Sequence, residues 1–178
     1  MQNIGKAIGA CAFGLLIMAS PAAAQSGVEL SAGYNLLITE DDSVPVGWYL
    51  DVAKSVSGNI GVVGQVTGNY KSEEEAGVDI DLNLHTFLAG VRFSGANTST
   101  TPFVQALVGA ARSSGGTEIA GIDFGVSDTS AALQIGGGVN LRGASSLGFR
   151  LGADYLRTLG DAGGNAFRVA VGIVFGGR

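Results

Sequence analysis

The chain has few of the residues that most metal centres and disulfide-bonded scaffolds require. Its 178 residues include one histidine, one cysteine (Cys11) and three prolines. Zinc sites and disulfide frameworks need several cysteines or histidines at defined spacings. The glycines recur at strand spacing and do not open a helix, as a phosphate-binding loop would require. The sequence therefore predicts neither a metal site nor a cofactor.

Charged residues are also scarce, and no hydrophobic run is very long. Only 14% of the residues are charged while 46% are hydrophobic, against a charged fraction of about 25% in typical soluble domains. No apolar run reaches the roughly 20 residues that a membrane-spanning helix needs. A transmembrane β-barrel fits both observations, because its outward apolar residues alternate with small or polar residues of the lumen. The net charge of −5 disfavours a nucleic-acid partner.

The segment from Phe167 to Phe175 shows a pattern that recurs along the chain. Large apolar residues occupy every second position, and mostly small residues with one arginine lie between them. Strict alternation indicates a β-strand with two different faces. Similar segments span residues 28–38, 48–53, 60–70, 82–93, 101–112, 131–141, 147–155 and 167–175. Because glycines on the second face suit a narrow lumen, we predict an all-β fold, an eight-stranded antiparallel up-and-down transmembrane β-barrel.

Aromatic residues lie near the ends of the predicted strands. They are Trp48, Tyr49, Tyr70, Phe93, Phe103, Tyr155, Phe167 and Phe175. In outer-membrane barrels such side chains face the headgroup regions of the bilayer. We therefore expect these aromatic side chains in two girdles on the outer surface.

The connections between the predicted strands alternate in length. Short turns near residues 57, 97 and 144 are expected in the periplasm, and longer loops at 40–45, 71–81, 113–128 and 159–165 outside the cell. Of the 15 acidic residues, twelve fall on the long-loop side: Glu40, Asp41, Asp42, Glu73, Glu74, Glu75, Asp79, Asp81, Glu118, Asp123, Asp128 and Asp161. Such charge usually marks a solvated face. The alternative hypothesis is that the acidic loop of Glu73, Glu74, Glu75, Asp79 and Asp81 binds divalent cations bridging to anionic surface lipid.

The N-terminal segment has the pattern of an export signal. Lys6 supplies a positive charge, residues 7–19 are apolar, and residues 22–24 are alanines before Gln25. This pattern predicts a cleaved signal peptide over residues 1–24 and a barrel domain over residues 25–178. The exported chain would contain no cysteine, and we expect it in the outer membrane of a Gram-negative-type envelope.

Some charged residues alternate with the large apolar residues and so share the strand face that carries the small residues. Their side chains would point into the lumen. They are Glu29, Asp51, Arg92, Arg150, Asp154 and Arg168, and Gln134 accompanies them. Strand direction puts the first four in the periplasmic half, and Asp154 and Arg168 in the other half. Because charges in a narrow space of low dielectric constant should be paired, we predict a polar plug of arginine–carboxylate pairs. Whether the pairs only fill the barrel or also gate ions stays open from sequence.

Five sequence blocks are informative through their order and spacing. They are HTFLAGVRF at 85–93, TPFVQALVG at 101–109, GGGVNLR at 136–142, ADYLRT at 153–158 and the segment 167–175. Together they resemble the small outer-membrane β-barrel domain family of OmpA-like and opacity-type proteins. The resemblance implies an assembly signal in the last strand, matched by Gly172 and Phe175. It also implies contact with the barrel-assembly machinery and periplasmic chaperones during biogenesis, and with outer-membrane lipid and lipopolysaccharide afterwards.

Some eight-stranded barrels edit lipid A, and they resemble esterases with a histidine, a nearby serine and a carboxylate. The single histidine, His85, is followed by Thr86 and Phe87, with no serine two positions on. We therefore predict a barrel that is not an enzyme, with a structural or surface-interaction role and with His85 as a rim or lumen side chain. Two alternatives stay open. They are a small porin-like channel for ions or small solutes, and a soluble periplasmic lipocalin-like binder of apolar ligands whose apolar parity faces inward.

Overall fold

A computed structural model of the chain describes residues 27–39, 43–75, 78–96, 99–119, 122–142, 146–160 and 163–176. Within its strands, the side chains of residues 45, 72–81, 117–119 and 122–126 are outside this description. The predicted signal peptide, residues 1–24, also lies outside the described residues, so its cleavage stays a prediction.

Eight β-strands account for almost all of the described chain. In order they are β1 (Val28–Thr39), β2 (Ser43–Ser57), β3 (Ile60–Glu75), β4 (Val78–Ser94), β5 (Thr100–Ile119), β6 (Ile122–Arg142), β7 (Leu147–Thr158) and β8 (Asn165–Gly176). Each strand pairs in antiparallel fashion with the next, and β8 pairs with β1, which closes the sheet. The predicted eight-stranded antiparallel barrel is therefore confirmed. No helix in the described ranges is long and apolar enough to cross a membrane.

The barrel has two unequal ends. The start of β1, the end of β8 and the connections after β2, β4 and β6 lie at one end, which we call the turn end. The connections after β1, β3, β5 and β7 lie at the opposite end. We call this the hairpin end, because the β3–β4 and β5–β6 hairpins are longest there.

The prediction of long loops at residues 71–81 and 113–128 is wrong, because strands continue through most of both segments. β3 and β4 stay paired as far as Glu75 and Val78, and β5 and β6 as far as Ile119 and Ile122. The predicted acidic loop of Glu73, Glu74, Glu75, Asp79 and Asp81 is therefore part of a two-stranded hairpin. Each strand was predicted to stop where the apolar alternation stops, whereas the hydrogen bonds of a ladder join backbone groups and do not depend on apolar side chains.

The two faces of the sheet differ in chemistry. Outward side chains are large and apolar, and many are exposed, such as Ile135 (64%) and Phe149 (65%). Inward side chains are mostly polar or small and are largely buried. We call the ring of outward apolar side chains the apolar belt. In water this belt would lose about 25 cal/mol of burial free energy for each Å² of apolar surface, whereas in a membrane lipid would cover it. The soluble lipocalin-like alternative requires the apolar parity inside the barrel, so its premise is wrong.

The seam between β1 and β8 depends on two glycines. Gly33 and Gly172 are Cα partners, and a Cβ on either one would collide with the backbone of the opposite strand. Tyr49 of β2 is the Cα partner of Gly33 on its other side, and a Cβ on Gly172 would also strike the Tyr49 hydroxyl group. The two glycines therefore leave room for an aromatic side chain to fill the narrow interior.

Candidate functional site: the barrel lumen

Polar side chains from several strands converge in the lumen. Near the turn end, the carboxylate of Glu29 contacts three arginines: Arg92 at 2.9 Å, Arg142 and Arg150. Glu29 keeps 14% of its side chain exposed, whereas each arginine side chain keeps 3%. One carboxylate thus holds three cations together at the end where β1 begins.

Asp51 shares two of these arginines. Its carboxylate contacts Arg92 Nη2 and lies 3.1 Å from Arg150 Nη1. The guanidinium carbons of both arginines lie 4.7 Å from the centroid of the Phe103 ring, an arrangement that adds cation–π attraction. We call Glu29, Asp51, Arg92, Arg142 and Arg150 the turn-end cluster.

A second group occupies the middle of the lumen. Arg168 Nη2 lies 2.8 Å from Asp154 Oδ2 and donates a hydrogen bond of 2.8 Å to Gln65 Oε1. Gln134 Nε2 donates to Asp154 Oδ1 at 3.1 Å. We call Gln65, Gln134, Asp154 and Arg168 the middle cluster.

Gln105 joins the two clusters. Its Oε1 accepts a hydrogen bond of 3.0 Å from Arg92 Nε, and its Nε2 donates one of 3.3 Å to Asp154 Oδ1. The side chain is 5% exposed, so both of its hydrogen-bonding groups are used inside the barrel. The charged side chains therefore form one connected network along the lumen.

All six residues predicted for the lumen lie in this network. Glu29, Asp51, Arg92 and Arg150 belong to the turn-end cluster, and Asp154 and Arg168 belong to the middle cluster. Sequence reasoning missed Arg142, which was assigned to a turn although it shares the inward parity of Asn140. It also put Tyr49 and Phe103 in the outer girdles. Both face the lumen, with 3% and 6% exposure. The alternation of side chains along the strand could have predicted this, because Tyr49 follows the outward-facing Trp48 and must therefore face inward.

An apolar layer lies directly beyond the middle cluster, towards the hairpin end. On each of β5, β6, β7 and β8, the next inward residue beyond the polar one, on the hairpin-end side, is apolar. These residues are Leu107 after Gln105, Ala132 next to Gln134, Leu156 after Asp154 and Ala166 next to Arg168. All four are buried, Leu107 to 1% exposure. The sequence did not predict this layer. An isolated apolar residue among the inward polar residues leaves the strand and the direction of its side chains recognisable, but it does not show that apolar residues of neighbouring strands meet.

A cavity of about 170 Å³ opens on the hairpin-end side of this layer. Its floor is apolar and includes Leu37, Leu84 and Leu156, and its rim carries neutral polar groups such as Thr39 and Ser113. The charged network is therefore separated from this mouth by apolar side chains.

His85 lies on the outer surface and not in the lumen, because it shares the parity of the exposed Phe87. Its Nε2 is 3.1 Å from the Tyr70 hydroxyl group, to which Trp48 Nε1 donates at 3.2 Å. The two rings of His85 and Tyr70 meet edge to face, with centroids 5.5 Å apart. The described contacts of His85 thus include no serine and no carboxylate, which an esterase arrangement would need.

The remaining predicted site residues are placed by backbone register. Glu74 is the Cα partner of Asp79, and Ser72 that of Asp81, while the side chains of this acidic hairpin are outside the description. Across the described ranges, no group of three or more His, Cys, Asp or Glu side chains is arranged to hold a metal ion. Phe175 of β8 is paired with Leu30 of β1 and Leu147 of β7.

Comparison with known proteins shows a common fold. No family model and no curated protein matches the chain. Among solved structures, Neisserial surface protein A is 15% identical with a TM-score of 0.62, over 84% of this chain and 97% of that one. Ail, the attachment invasion locus protein of Yersinia pestis in complex with the heparin analogue sucrose octasulfate, is 20% identical with a TM-score of 0.61, over 83% and 96%. A major outer membrane protein from Thermus thermophilus is 12% identical with a TM-score of 0.57, over 83% and 98%. The chain thus has the fold of small outer-membrane barrels.

Proposed function

We propose that this chain is an outer-membrane β-barrel with a closed lumen and a structural or surface-interaction role, and that it is not an enzyme. The observation that carries the proposal is the contrast between the two faces of one sheet. The outer face is an apolar belt, and the inner face holds a connected ionic network next to a buried apolar layer. A belt of this kind suits lipid, and such an interior leaves no continuous aqueous path.

The outer-membrane location rests on the belt, on the fold shared with known outer-membrane proteins and on the predicted export signal at residues 1–24. In this arrangement the turn end faces the periplasm and the hairpin end faces outward. The matching Gly172 and Phe175 support recognition of β8 by the barrel-assembly machinery, with periplasmic chaperones as earlier partners. Outer-membrane lipid and lipopolysaccharide would surround the finished barrel.

The ionic network favours a structural plug over an open pore. An ion crossing the lumen would have to separate buried pairs such as Arg168–Asp154, and separating a buried pair typically costs about 3–5 kcal/mol. It would then meet the apolar layer around Leu107, where a narrow constriction excludes water and ions. Both barriers lie in series along one lumen.

A surface-interaction role is consistent with the charge of the hairpin end. Ail was solved with a sulfated heparin analogue, whereas this chain carries Glu73, Glu74, Glu75, Asp79 and Asp81 in its β3–β4 hairpin. Because like charges repel, we propose that an extracellular partner of this hairpin is cationic or bound through divalent cations, and that it is not a sulfated glycan. Calcium titration calorimetry on the folded barrel, with and without the five acidic residues changed to amides, tests the cation route. An absence of heat in both proteins would remove it.

Planar-bilayer recording tests the closed lumen. We expect no large and stable conductance steps from the wild-type barrel, and none from a matched variant on the outer face, Phe149→Ala. The double variant Leu107→Ala with Leu156→Ala thins the apolar layer and should raise the frequency of small steps. Large, stable steps from the wild-type protein would instead support the alternative, a small porin-like channel.

A further inference from the structure

The cavity at the hairpin-end mouth has a preformed apolar floor. Its floor residues are Leu37, Leu84 and Leu156 with Ala111 and Ala166. They all belong to the apolar cluster of the barrel interior or pack against it, so strands and not loops hold them in place. An engineered apolar cavity of about 150 Å³ in another protein takes up benzene. This cavity of about 170 Å³ therefore has room for one aromatic ring or a short alkyl chain.

The apolar lining continues from the cavity towards the solvent. Leu82 lies two positions beyond Leu84 on β4 and shares its parity, and it is 49% exposed. An exposed leucine on the inner face of a barrel gains from any apolar group that covers it. The apolar part of a bound molecule can thus extend from the floor to Leu82.

A carboxylate stands at the rim of the same cavity. Ser113 and Ser130 line the cavity, and Asp128 is the Cα partner of Ser113. Ser130 Oγ donates a hydrogen bond of 3.0 Å to Asp128 Oδ2. The other carboxylate oxygen receives no hydrogen bond within the described part of the chain, and the Asp128 side chain is exposed. A donor that enters the cavity can therefore reach a negative charge without first displacing another cation.

The charges around the mouth favour a cation. Twelve of the 15 acidic residues belong to the hairpin-end half of the sequence pattern, and an excess of one sign attracts the opposite sign to a cleft. The described cation of the same parity is Lys71 on β3, which is three strands away from Asp128 on β6. That separation is about 14 Å along the sheet, beyond the Debye length of about 8 Å at physiological salt. Lys71 therefore neutralises Asp128 only weakly.

We propose that the hairpin-end mouth binds one small primary ammonium compound with an apolar body, of the arylalkylamine class. The ring lies on the floor formed by Leu37, Leu84 and Leu156, and the ammonium group donates to Asp128. Binding sites of this type combine an apolar lining with a few polar groups that fix the orientation of the ligand. The site lies outside the ionic network and requires neither a closed lumen nor a partner of the acidic hairpin, so its failure would leave the proposed function untouched.

Methyl NMR of the full barrel in nanodiscs of zwitterionic lipid provides the first test. The probes share one ring and differ in the head group: 2-phenylethylammonium, 2-phenylethanol and 3-phenylpropionate. We expect saturable shifts of the methyl groups of Leu37, Leu84 and Leu156, and none at Leu151, which is exposed on the outer face. Because hydrogen bonds to charged groups are the stronger ones, the ammonium probe should bind about tenfold more tightly than the alcohol. The carboxylate probe should bind most weakly.

Two results of this titration would contradict the proposal. The absence of saturable shifts at the three floor leucines would show that the cavity binds no ring. Equal affinity for the ammonium probe and the alcohol would show that the rim does not select a cation.

A pair of neighbouring alanines tests the position of the ring. Ala111→Leu fills the floor of the cavity and should abolish the shifts for all three probes. Ala110→Leu is the matched control, because Ala110 is the Cα partner of the outward Phe87 and should leave binding unchanged. Migration on a cold SDS gel shows whether each variant is folded. Binding that persists in a folded Ala111→Leu barrel would place the ring elsewhere and overturn the proposal.

Asp128→Asn tests the position of the ammonium group and changes no apolar contact. We expect the affinity for 2-phenylethylammonium to fall about tenfold and the affinity for 2-phenylethanol to stay the same. The alcohol is thus an internal control for the integrity of the cavity. If the preference for the ammonium probe survives in Asp128→Asn, Asp128 is not its partner and the proposal is wrong.

Discussion

At the residue scale, the interior depends on carboxylates that are shared among several arginines. Glu29 serves Arg92, Arg142 and Arg150, and it also accepts a hydrogen bond from Asn140 Nδ2 at 3.1 Å. Removing one such acceptor leaves several buried donors and cations without their partner. The cost therefore exceeds that of breaking a single surface ion pair, which is about 0–1 kcal/mol.

We predict that Glu29→Gln lowers the free energy of unfolding by about 3 kcal/mol, near the low end for breaking a buried ion pair, because Glu29 keeps 14% exposure. Urea unfolding followed by the fluorescence of Trp48 measures the change. Asp128→Asn is the control, since Asp128 is exposed and accepts a hydrogen bond only from Ser130 among its described contacts, at 3.0 Å. A loss below about 0.5 kcal/mol, the usual range for surface substitutions, would count against a shared network.

A second residue-scale prediction concerns the seam. Gly172→Ala places a Cβ against the backbone of Ala32 and the Tyr49 hydroxyl group, so we expect a loss of about 1–3 kcal/mol from overpacking. Gly64→Ala is the matched control, because a Cβ there meets nothing within 4 Å. The fraction of refolded protein that resists SDS reports the effect, and equal fractions for both variants would contradict the packing account.

At the element scale, strand positions could be predicted from sequence better than strand lengths. Alternation located all eight strands and the parity of each, because one face is apolar and the other is not. It failed at residues 71–81 and 113–128, where Gly, Ser, Thr and acidic residues continue the backbone ladder without an apolar face. It also failed to pair Arg142 with Glu29, because that contact joins β6 to β1 and depends on barrel closure.

The long β5–β6 hairpin should be dispensable for folding. Gly116 and Gly125 are Cα partners, so deleting residues 117–124 joins them as a Gly-Gly turn that suits a tight hairpin. We expect the shortened chain to fold with unchanged yield. Deleting Ala106 alone is the contrasting change, because it moves the following lumen residues to the outer face and should prevent folding. Loss of folding in the shortened chain would mean that the hairpin is part of the stabilising core.

At the scale of the whole molecule, the barrel is layered along its axis. The turn-end cluster, the middle cluster, the apolar layer and the hairpin-end mouth follow one another, and the apolar belt surrounds the outside. Composition and alternation could predict the apolar belt and the polar interior, because the large apolar residues occupy one face of each strand and the small and polar residues occupy the other. The order of the layers could not be predicted, because it follows from the stagger of eight strands around a closed sheet.

The central claim is that the apolar parity faces lipid in a closed, membrane-embedded barrel. The most direct measurement is to fold residues 25–178 into lipid vesicles and compare boiled and unboiled samples on a cold SDS gel. The account predicts that the unboiled protein migrates differently from the boiled protein, because the closed barrel resists SDS. Identical migration, together with a monodisperse protein in detergent-free buffer, would contradict it.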